Sequence, residues 1–354
     1  MPEYRPDYYS RFRCLASDCR ETCCAGWEID IDPESAARYR GLSGPFGEWL
    51  RQGIDWGSDP LCFRLKGERC VFLTPENLCE IYINCGEDAL CAICSEHPRF
   101  HEQFGGHRES GLGLCCEAAA ALILDTAAPA RFVLLDSPEE GGEEPPLFRP
   151  LFAARERAFR IVQDRARPFG ERMARLLEFG AQIQDRLDEG LPPDPDAPAV
   201  LPEGSAEEGA LSSLCGGLLS LLLELEPFDP RWPGRIEKLC ARLPGVLAAR
   251  CSGDAAYENL AVYFLFRYLL KSVHDGDFLS KIKLAALLTL TILLLDGGTL
   301  LDAGTLSPED RLRSAAACSR ELEYSEENIA ALEEACAWEE KFSLERMEAA
   351  FSAL

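Results

Sequence analysis

Residues 284–295 read LAALLTLTILLL, the longest apolar run in the chain, interrupted only by Thr289 and Thr291. Twelve residues fall short of the roughly 20 that a membrane crossing needs. The run lies inside a longer helix-periodic stretch, residues 279–295, and is expected as a helix buried in a protein core. Outward from it, apolar residues recur at helical spacing over residues 210–225, 236–249, 255–273, 308–319 and 325–351. Ser325 followed by Glu326, Glu327 and Asn328 reads as a helix start, with acids set against the helix dipole. Residues 151–187 are also helical in pattern and rich in arginine. No internal repeat or sustained heptad is visible. The expected fold is mainly α, with an irregular cysteine-rich, metal-stapled N-terminal module packed on a helical C-terminal domain.

Two stretches punctuate the chain. Residues 137–147 (SPEEGGEEPPL) are acidic with Gly and Pro, and residues 191–209 (LPPDPDAPAVLPEGSAEEG) are rich in Pro. They suggest three segments: a cysteine-rich module over 1–136, a helical connector over 137–209, and a helical domain over 210–354. Within the first, residues 41–57 read as a loop with at most a helical turn near 46–52. Residues 117–125 (EAAAALILD) open a helix. Gly41-x2-Gly44-x2-Gly47 follows no clear strand and includes Pro45, so it is not read as a cofactor-binding loop.

The chain has 354 residues, 47% of them hydrophobic, enough to bury a sizeable core. Its net charge of −24 repels phosphate backbones and argues against a nucleic-acid partner. The same field suits cationic partners, such as a lysine side chain or a sulfonium. Residues 1–13 (MPEYRPDYYSRFR) lack the apolar core of a secretory signal, so a cytoplasmic protein without membrane contact is expected.

Of seventeen cysteines, twelve fall between Cys14 and Cys116, and the others (Cys215, Cys240, Cys251, Cys318, Cys336) are scattered through helical pattern. In a reducing compartment, clustered thiols read as metal ligands rather than disulfides, and the scattered five as buried small side chains. Cys19-x3-Cys23-Cys24 and Cys91-x2-Cys94 are turns that let two sulfurs converge on one ion, and Cys70 and Cys79 frame a hairpin-like segment. Histidine is scarce, with His97, His101 and His107 nearby and His274 remote. The donor set is therefore almost all sulfur, which suits zinc or an iron–sulfur cluster over oxygen-seeking cations. Spacing alone does not choose between the two.

Several of these motifs resemble known sequences. Cys19-x3-Cys23-Cys24, Cys70-Val-Phe-Leu, Cys79-Glu-Ile-Tyr and Cys94 are similar to small bacterial zinc- or iron-chelating proteins. A more specific resemblance, over nearly the whole chain, is to the flagellin lysine-N-methylase family. It rests on Tyr9-x2-Phe12-x-Cys14-x4-Cys19-x3-Cys23-Cys24-x2-Trp27-x-Ile29-x2-Asp32, on Cys94-x2-His97-Pro98-Arg99, and on Gly113-Leu114-Cys115-x-Glu117-Ala118-Ala119. It continues in Tyr257-Glu258-Asn259-Leu260-x2-Tyr263 and Ser319-Arg320-Glu321-x-Glu323-Tyr324-Ser325-x2-Asn328. The chain departs from the family pattern at His97, where tyrosine is usual, at Cys116, where proline is usual, and at Tyr324, where histidine is usual.

The resemblance implies methyl transfer from S-adenosylmethionine to the ε-amine of protein lysines, flagellin being the family's substrate, with a [4Fe–4S] cluster as cofactor. The CxxxCxxC spacing of the usual radical enzymes is missing, and methylating an amine needs no radical. A neutral lysine nitrogen can displace the methyl group from a sulfonium if the two are aligned, the ammonium proton is removed and water is excluded. Eight cysteines are the candidate ligands: Cys14, Cys19, Cys23, Cys24, Cys70, Cys79, Cys94 and Cys115. They exceed what one four-thiolate site uses, so either two sites exist or some thiols merely pack around one. Cys62, Cys85, Cys91 and Cys116 are left out. Trp27 and Tyr82 are candidates for holding the sulfonium or lysine by cation–π contact, and Arg99 for the carboxylate of the cofactor's methionine. Glu117 is the candidate for neutralising the incoming lysine and His97 for accepting its proton, with a pKa suited to that task. Core packing, ion pairing and solvent exposure are the respective plain alternatives. Glu258, Arg320 and Glu323 are expected to form ion pairs holding helices together. A non-enzymatic redox or metal-chelating protein, or a zinc-stapled helical adaptor, would carry the same cysteines.

Overall fold

A computed structural model describes residues 2–20, 22–124, 128–136, 141–201, 209–249 and 255–354. The fold is mainly helical, as expected. Its axis is the helix Phe278–Ala303, which contains the apolar run and extends well beyond it. Asp277 caps it, accepting from the Ser280 N–H at 3.0 Å, and Gly304 ends it at φ 71°. At 26 residues the helix is long and apolar enough to cross a membrane, so the shortness of the run does not decide the matter. Burial does: 83% of its most apolar window is covered by protein. The covering helices include Phe169–Asp188, Ala255–Tyr268, Pro308–Glu323 and Glu326–Trp338. Thr289 and Thr291 donate to the carbonyls four residues back, at 2.7 and 2.9 Å, which is how two hydroxyls enter an apolar core at little cost. A Cβ on Gly298 would sit 2.5 Å from Leu239 Cδ2, so the helix Trp232–Ala241 packs closely here because residue 298 has no side chain.

The other predicted helices are found with shifted ends. Residues 151–187 form two helices, Phe148–Val162 and Phe169–Asp188, with Pro168 before the second. Residues 236–249 are divided at Arg242, and residues 325–351 break after Trp338. Ser325 caps its helix as expected, accepting from the Asn328 N–H at 3.1 Å.

The N-terminal third is more ordered than its sequence suggested. Residues 41–57, read as a loop, carry most of the helix Gly44–Gln52, with Pro at its first turn, directly after the helix Pro33–Gly41. A four-stranded sheet was not anticipated. Glu3–Pro6 lies between His107–Leu112, to which it is parallel, and Phe132–Leu135, to which it is antiparallel. Arg99–Phe104 adds the outer strand through a hairpin, pairing Arg99 with Leu112 and Phe104 with His107. Behind the sheet, Arg155 makes a two-pronged bond to Glu109 at 2.7 and 2.5 Å, both side chains being buried.

Two hydrophobic cores result. The larger joins the sheet to all the major helices. The smaller holds Ile29, Ile31, Tyr39, Leu50, Phe63 and Phe72, and includes Cys70 and Cys91. The predicted connector helices over 148–188 belong to the larger core. Cys251, and the parts of the two predicted linkers at 137–140 and 202–208, lie outside the described residues.

Candidate functional site

The thiols of the smaller core are gathered by backbone pairing. The Cys70 N–H donates to the Cys24 carbonyl at 2.9 Å, beside an antiparallel bridge between Ala25 and Arg69. A second bridge, Leu73 to Cys79, folds the next segment back so that Cys79 joins them. Cys91 and Cys94 flank the start of the helix Ala92–Glu96, which is tied down by Asp32: one carboxylate oxygen caps Pro33–Gly41 and the other accepts from the Ala92 N–H at 2.8 Å. The Cys91 and Cys94 thiols hydrogen-bond to each other, which lowers the first and raises the second. Burial pushes the Cys70 thiol up to about 12 and raises Cys79, while Cys24 lies close enough to interact electrostatically with both and with Cys94.

The remaining candidates gather at the seam between this module and the helical domain. Cys115 and Cys116 stand at the end of the hairpin, just before the helix Glu117–Leu124. The Leu114 N–H donates to the Tyr263 hydroxyl at 3.1 Å, fixing that turn against the helix Ala255–Tyr268. Cys115 is buried, which raises its thiol, and it is hydrogen-bonded to Tyr324. Burial likewise lifts Cys116 to about 11, with Cys115 and Cys19 adding to it. Cys23 interacts with Cys14 and Cys116 across the seam. Cys19 Sγ lies 4.0 Å from the Glu117 carboxylate, which also accepts from the Arg20 N–H at 3.1 Å. The two gatherings meet at Cys23 and Cys24, whose thiols share a hydrogen bond that raises Cys23 and lowers Cys24.

The eight predicted ligands therefore divide four and four. Cys24, Cys70, Cys79 and Cys94 attach to the smaller core, and Cys14, Cys19, Cys23 and Cys115 to the seam. Sequence reasoning passed over Cys91 and Cys116, one in each gathering. The Cys91-x2-Cys94 turn was the signal that pointed to the first. Of the scattered cysteines, Cys215, Cys318 and Cys336 are buried as expected, whereas Cys240 is exposed.

Trp27 reaches the seam. Its Nε1 donates to the Cys23 carbonyl at 2.8 Å and its ring lies 6.0 Å from Tyr324, which in turn meets Phe228 edge-on at 5.6 Å. Glu117 is there too, in an ion pair with Arg20 at 3.8 Å. Tyr82 is 51% exposed on the short helix Glu80–Cys85. Arg99 is engaged locally, donating to the Ser95 carbonyl at 3.2 Å and lying over the Phe12 ring. His97 precedes a cis proline, and burial lowers its imidazole to about 4, below the near-neutral value expected. It is neutral at pH 7 but a weak proton acceptor. Glu258 and Glu323 form ion pairs that hold helices together. Glu258 is held by Arg172 at 2.7 Å and Arg165 at 2.9 Å, and Glu323 by Arg267 at 2.8 Å together with the Tyr263, Tyr268 and Ser319 hydroxyls.

The chemistry of the donor set fits a thiophilic metal. The ten cysteines named here carry thiols rather than disulfides. Most are held protonated by burial and by one another, a state that a bound cation reverses by drawing off the protons. Among the described residues, no group of three or more His, Cys, Asp or Glu side chains is already arranged to hold a metal ion.

Comparisons with known proteins find similarity over part of the chain. The family model for the FliB lysine N-methylase C-terminal domain matches residues 253–349, which include Tyr263, Arg267, Glu323 and Tyr324. A lysine-N-methylase of Salmonella typhimurium is 28% identical over 129 residues, 34% of this chain and 32% of that protein. Its counterpart in Salmonella choleraesuis is 27% identical over the same shares. The flagellar biosynthetic protein FliU of Salmonella muenchen is 26% identical over 34% of this chain and 75% of its own length. The match thus spans about a third of the lysine-N-methylases. No solved structure matches. The family model covers the C-terminal motifs read from the sequence, and the chain is similar over about a third of its length to lysine-N-methylases.

Proposed function

We propose that this protein is a lysine N-methyltransferase that takes its methyl group from S-adenosylmethionine, carries a sulfur-bound metal cofactor of the [4Fe–4S] type, and acts on surface lysines of a protein such as flagellin. The observation that carries the reading is that Tyr324, from the stretch matching the methylase C-terminal domain, meets Cys115 and Trp27 from the cysteine module. Each half of the chain contributes to one seam.

When bound, the cluster supplies one-electron redox capacity and ties the thiols into a rigid unit. The thiols at either gathering are its candidate ligands. The chain's own side chains then do the rest. The faces of Trp27 and Tyr324 attract a sulfonium or an ammonium by cation–π contact. Glu117, already drawn to Arg20, offers a carboxylate to the incoming lysine at the same seam. With its imidazole at about 4, His97 is not assigned as the proton acceptor. Alignment and water exclusion at the seam remain the main sources of acceleration.

The test is transfer of labelled methyl from S-adenosylmethionine to lysines of recombinant flagellin by anaerobically purified protein. Label on flagellin lysines is the expected result. Intact metal and bound cofactor without transfer to any lysine-bearing protein would overturn the reading.

A further inference from the structure

We propose that Glu323 is the positioning residue of the seam: its buried carboxylate directs the Tyr263 hydroxyl so that the hairpin end at Leu114 and Cys115 is held against Tyr324 and Trp27. The effect on methyl transfer rests on the proposed function, whereas the placement does not.

The carboxylate has more donors than its charge requires. Glu323 ends the helix Pro308–Glu323, and its side chain is 2% exposed. Arg267 and the Tyr268 hydroxyl each donate to it at 2.8 Å. The Tyr263 hydroxyl lies 3.2 Å from both oxygens, and the Ser319 hydroxyl donates as well. One arginine balances the charge of a desolvated carboxylate. Three hydroxyls add a direction. A carboxylate only accepts, so each hydroxyl turns its proton toward Glu323. Burial keeps the Tyr263 phenol protonated.

That direction decides what Tyr263 offers to the hairpin. With its proton committed to Glu323, its oxygen is left as an acceptor, and the buried Leu114 N–H donates to it at 3.1 Å. Tyr268 shows the same polarity, its oxygen accepting from Arg267 Nε at 3.2 Å. Without the carboxylate the Tyr263 proton is free to turn, and a buried amide loses its fixed acceptor, which is costly.

The same network grips the hairpin at a second point. Arg267 lies over the Phe100 ring at 4.4 Å, and Phe100 pairs with Gly111 across the hairpin. A Cβ at residue 111 would fall 2.1 Å from that ring, so Phe100 lies directly over the glycine. At the hairpin end, the residue after Leu114 is Cys115, and the residue after Glu323 is Tyr324, to which the Cys115 thiol is hydrogen-bonded. Two neighbouring residues of one half are thereby fastened to two neighbouring residues of the other. Tyr324 carries its ring to Trp27 from this fixed point.

The experiment compares the whole chain with Tyr263→Phe, Glu323→Gln and Ser319→Ala, by amide exchange read with mass spectrometry and by methyl-transfer kinetics. Tyr263→Phe and Glu323→Gln should speed exchange over residues 112–116 by about tenfold, and leave the helix Phe278–Ala303 as protected as before. In both, kcat should fall about tenfold with KM for the lysine-bearing protein unchanged. Ser319→Ala takes a donor from the same carboxylate without touching Leu114, so it should lower the melting temperature and leave exchange over residues 112–116 unaltered. If Glu323→Gln fails to fold, Tyr263→Phe decides. Unchanged exchange over residues 112–116 in Tyr263→Phe would overturn the proposal. Equal acceleration in the helix Phe278–Ala303 would overturn it too, since the network would then only stabilise the fold. Faster local exchange with kcat intact would also overturn the positioning role. The expected exchange pattern in a protein that transfers no methyl group would uphold the placement and count against the proposed function alone.

Discussion

The Tyr324 phenol ring lies 6.0 Å from the Trp27 indole, inclined at 47°, while its hydroxyl is hydrogen-bonded to the Cys115 thiol. One side chain from the C-terminal half thus touches two separate pieces of the cysteine module. An aromatic hydroxyl therefore meets the thiol at this seam.

Tyr324→Phe keeps the ring and removes that hydrogen bond. Thermal stability should fall by about 1 kcal/mol. Methyl transfer should drop about tenfold, the equivalent of about 1.4 kcal/mol, and the metal–thiolate absorption should shift. An unchanged spectrum and rate would place Tyr324 in packing alone. Calorimetry, visible spectra and single-turnover assays make the comparison.

Glu258 is fully buried and bonded to Arg172 on the helix Phe169–Asp188 and to Arg165 on the loop leading into it. Glu258→Ala leaves Arg172 buried without a carboxylate and should cost about 3–5 kcal/mol in urea unfolding. Arg172→Met on top of it should restore part of that loss, because the orphaned charge is gone.

Glu348 packs against Glu178, and burial together with that neighbouring carboxylate raises it from 4.5 to about 7. A carboxyl with a raised folded-state pKa holds its proton in the folded protein where the unfolded chain has released it. Its contribution is complete below about pH 4.5 and is lost as pH rises to about 7. Glu348→Gln should therefore stabilise the protein by about 1–3 kcal/mol above pH 7, and by progressively less toward pH 4.5. Denaturation midpoints across that range check the sign.

Removing metal should loosen one core and spare the other. Chelation without oxygen should raise amide exchange through residues 24–94, where thiols are part of the core. The helix Phe278–Ala303 is packed by apolar side chains alone along most of its length and should stay protected. Equal deprotection of both regions would mean that the two cores unfold together.

Much of the helical half was legible because its helices announce themselves locally. Apolar residues at helical spacing, Ser325 at a cap and Pro308 at a first turn are signals carried within a few residues. The sheet was not legible. Its strands, Glu3–Pro6, Arg99–Phe104, His107–Leu112 and Phe132–Leu135, are short, and Glu109 is acceptable in the interior only because Arg155 arrives from a distant helix. The helix Gly44–Gln52 was hidden by its glycines and proline, whose low helix propensity is overridden by packing of Leu50 in the small core.

By itself the sequence determined that this protein is mainly helical, that its thiols cluster in the N-terminal third, and that its motifs resemble those of the lysine-N-methylases. Those follow from residue types and short spacings, which need no partner. Tertiary structure alone decided which thiols approach one another, because adjacent Cys23 and Cys24 face different neighbours and Cys116 comes near Cys23 only when the hairpin end folds onto the seam. It also decided that Arg99 and His97 are occupied by local bonding and burial, while Tyr324 meets the thiols. Contacts between residues far apart in the chain depend on the path between them, and that path is set by the sheet and the two cores.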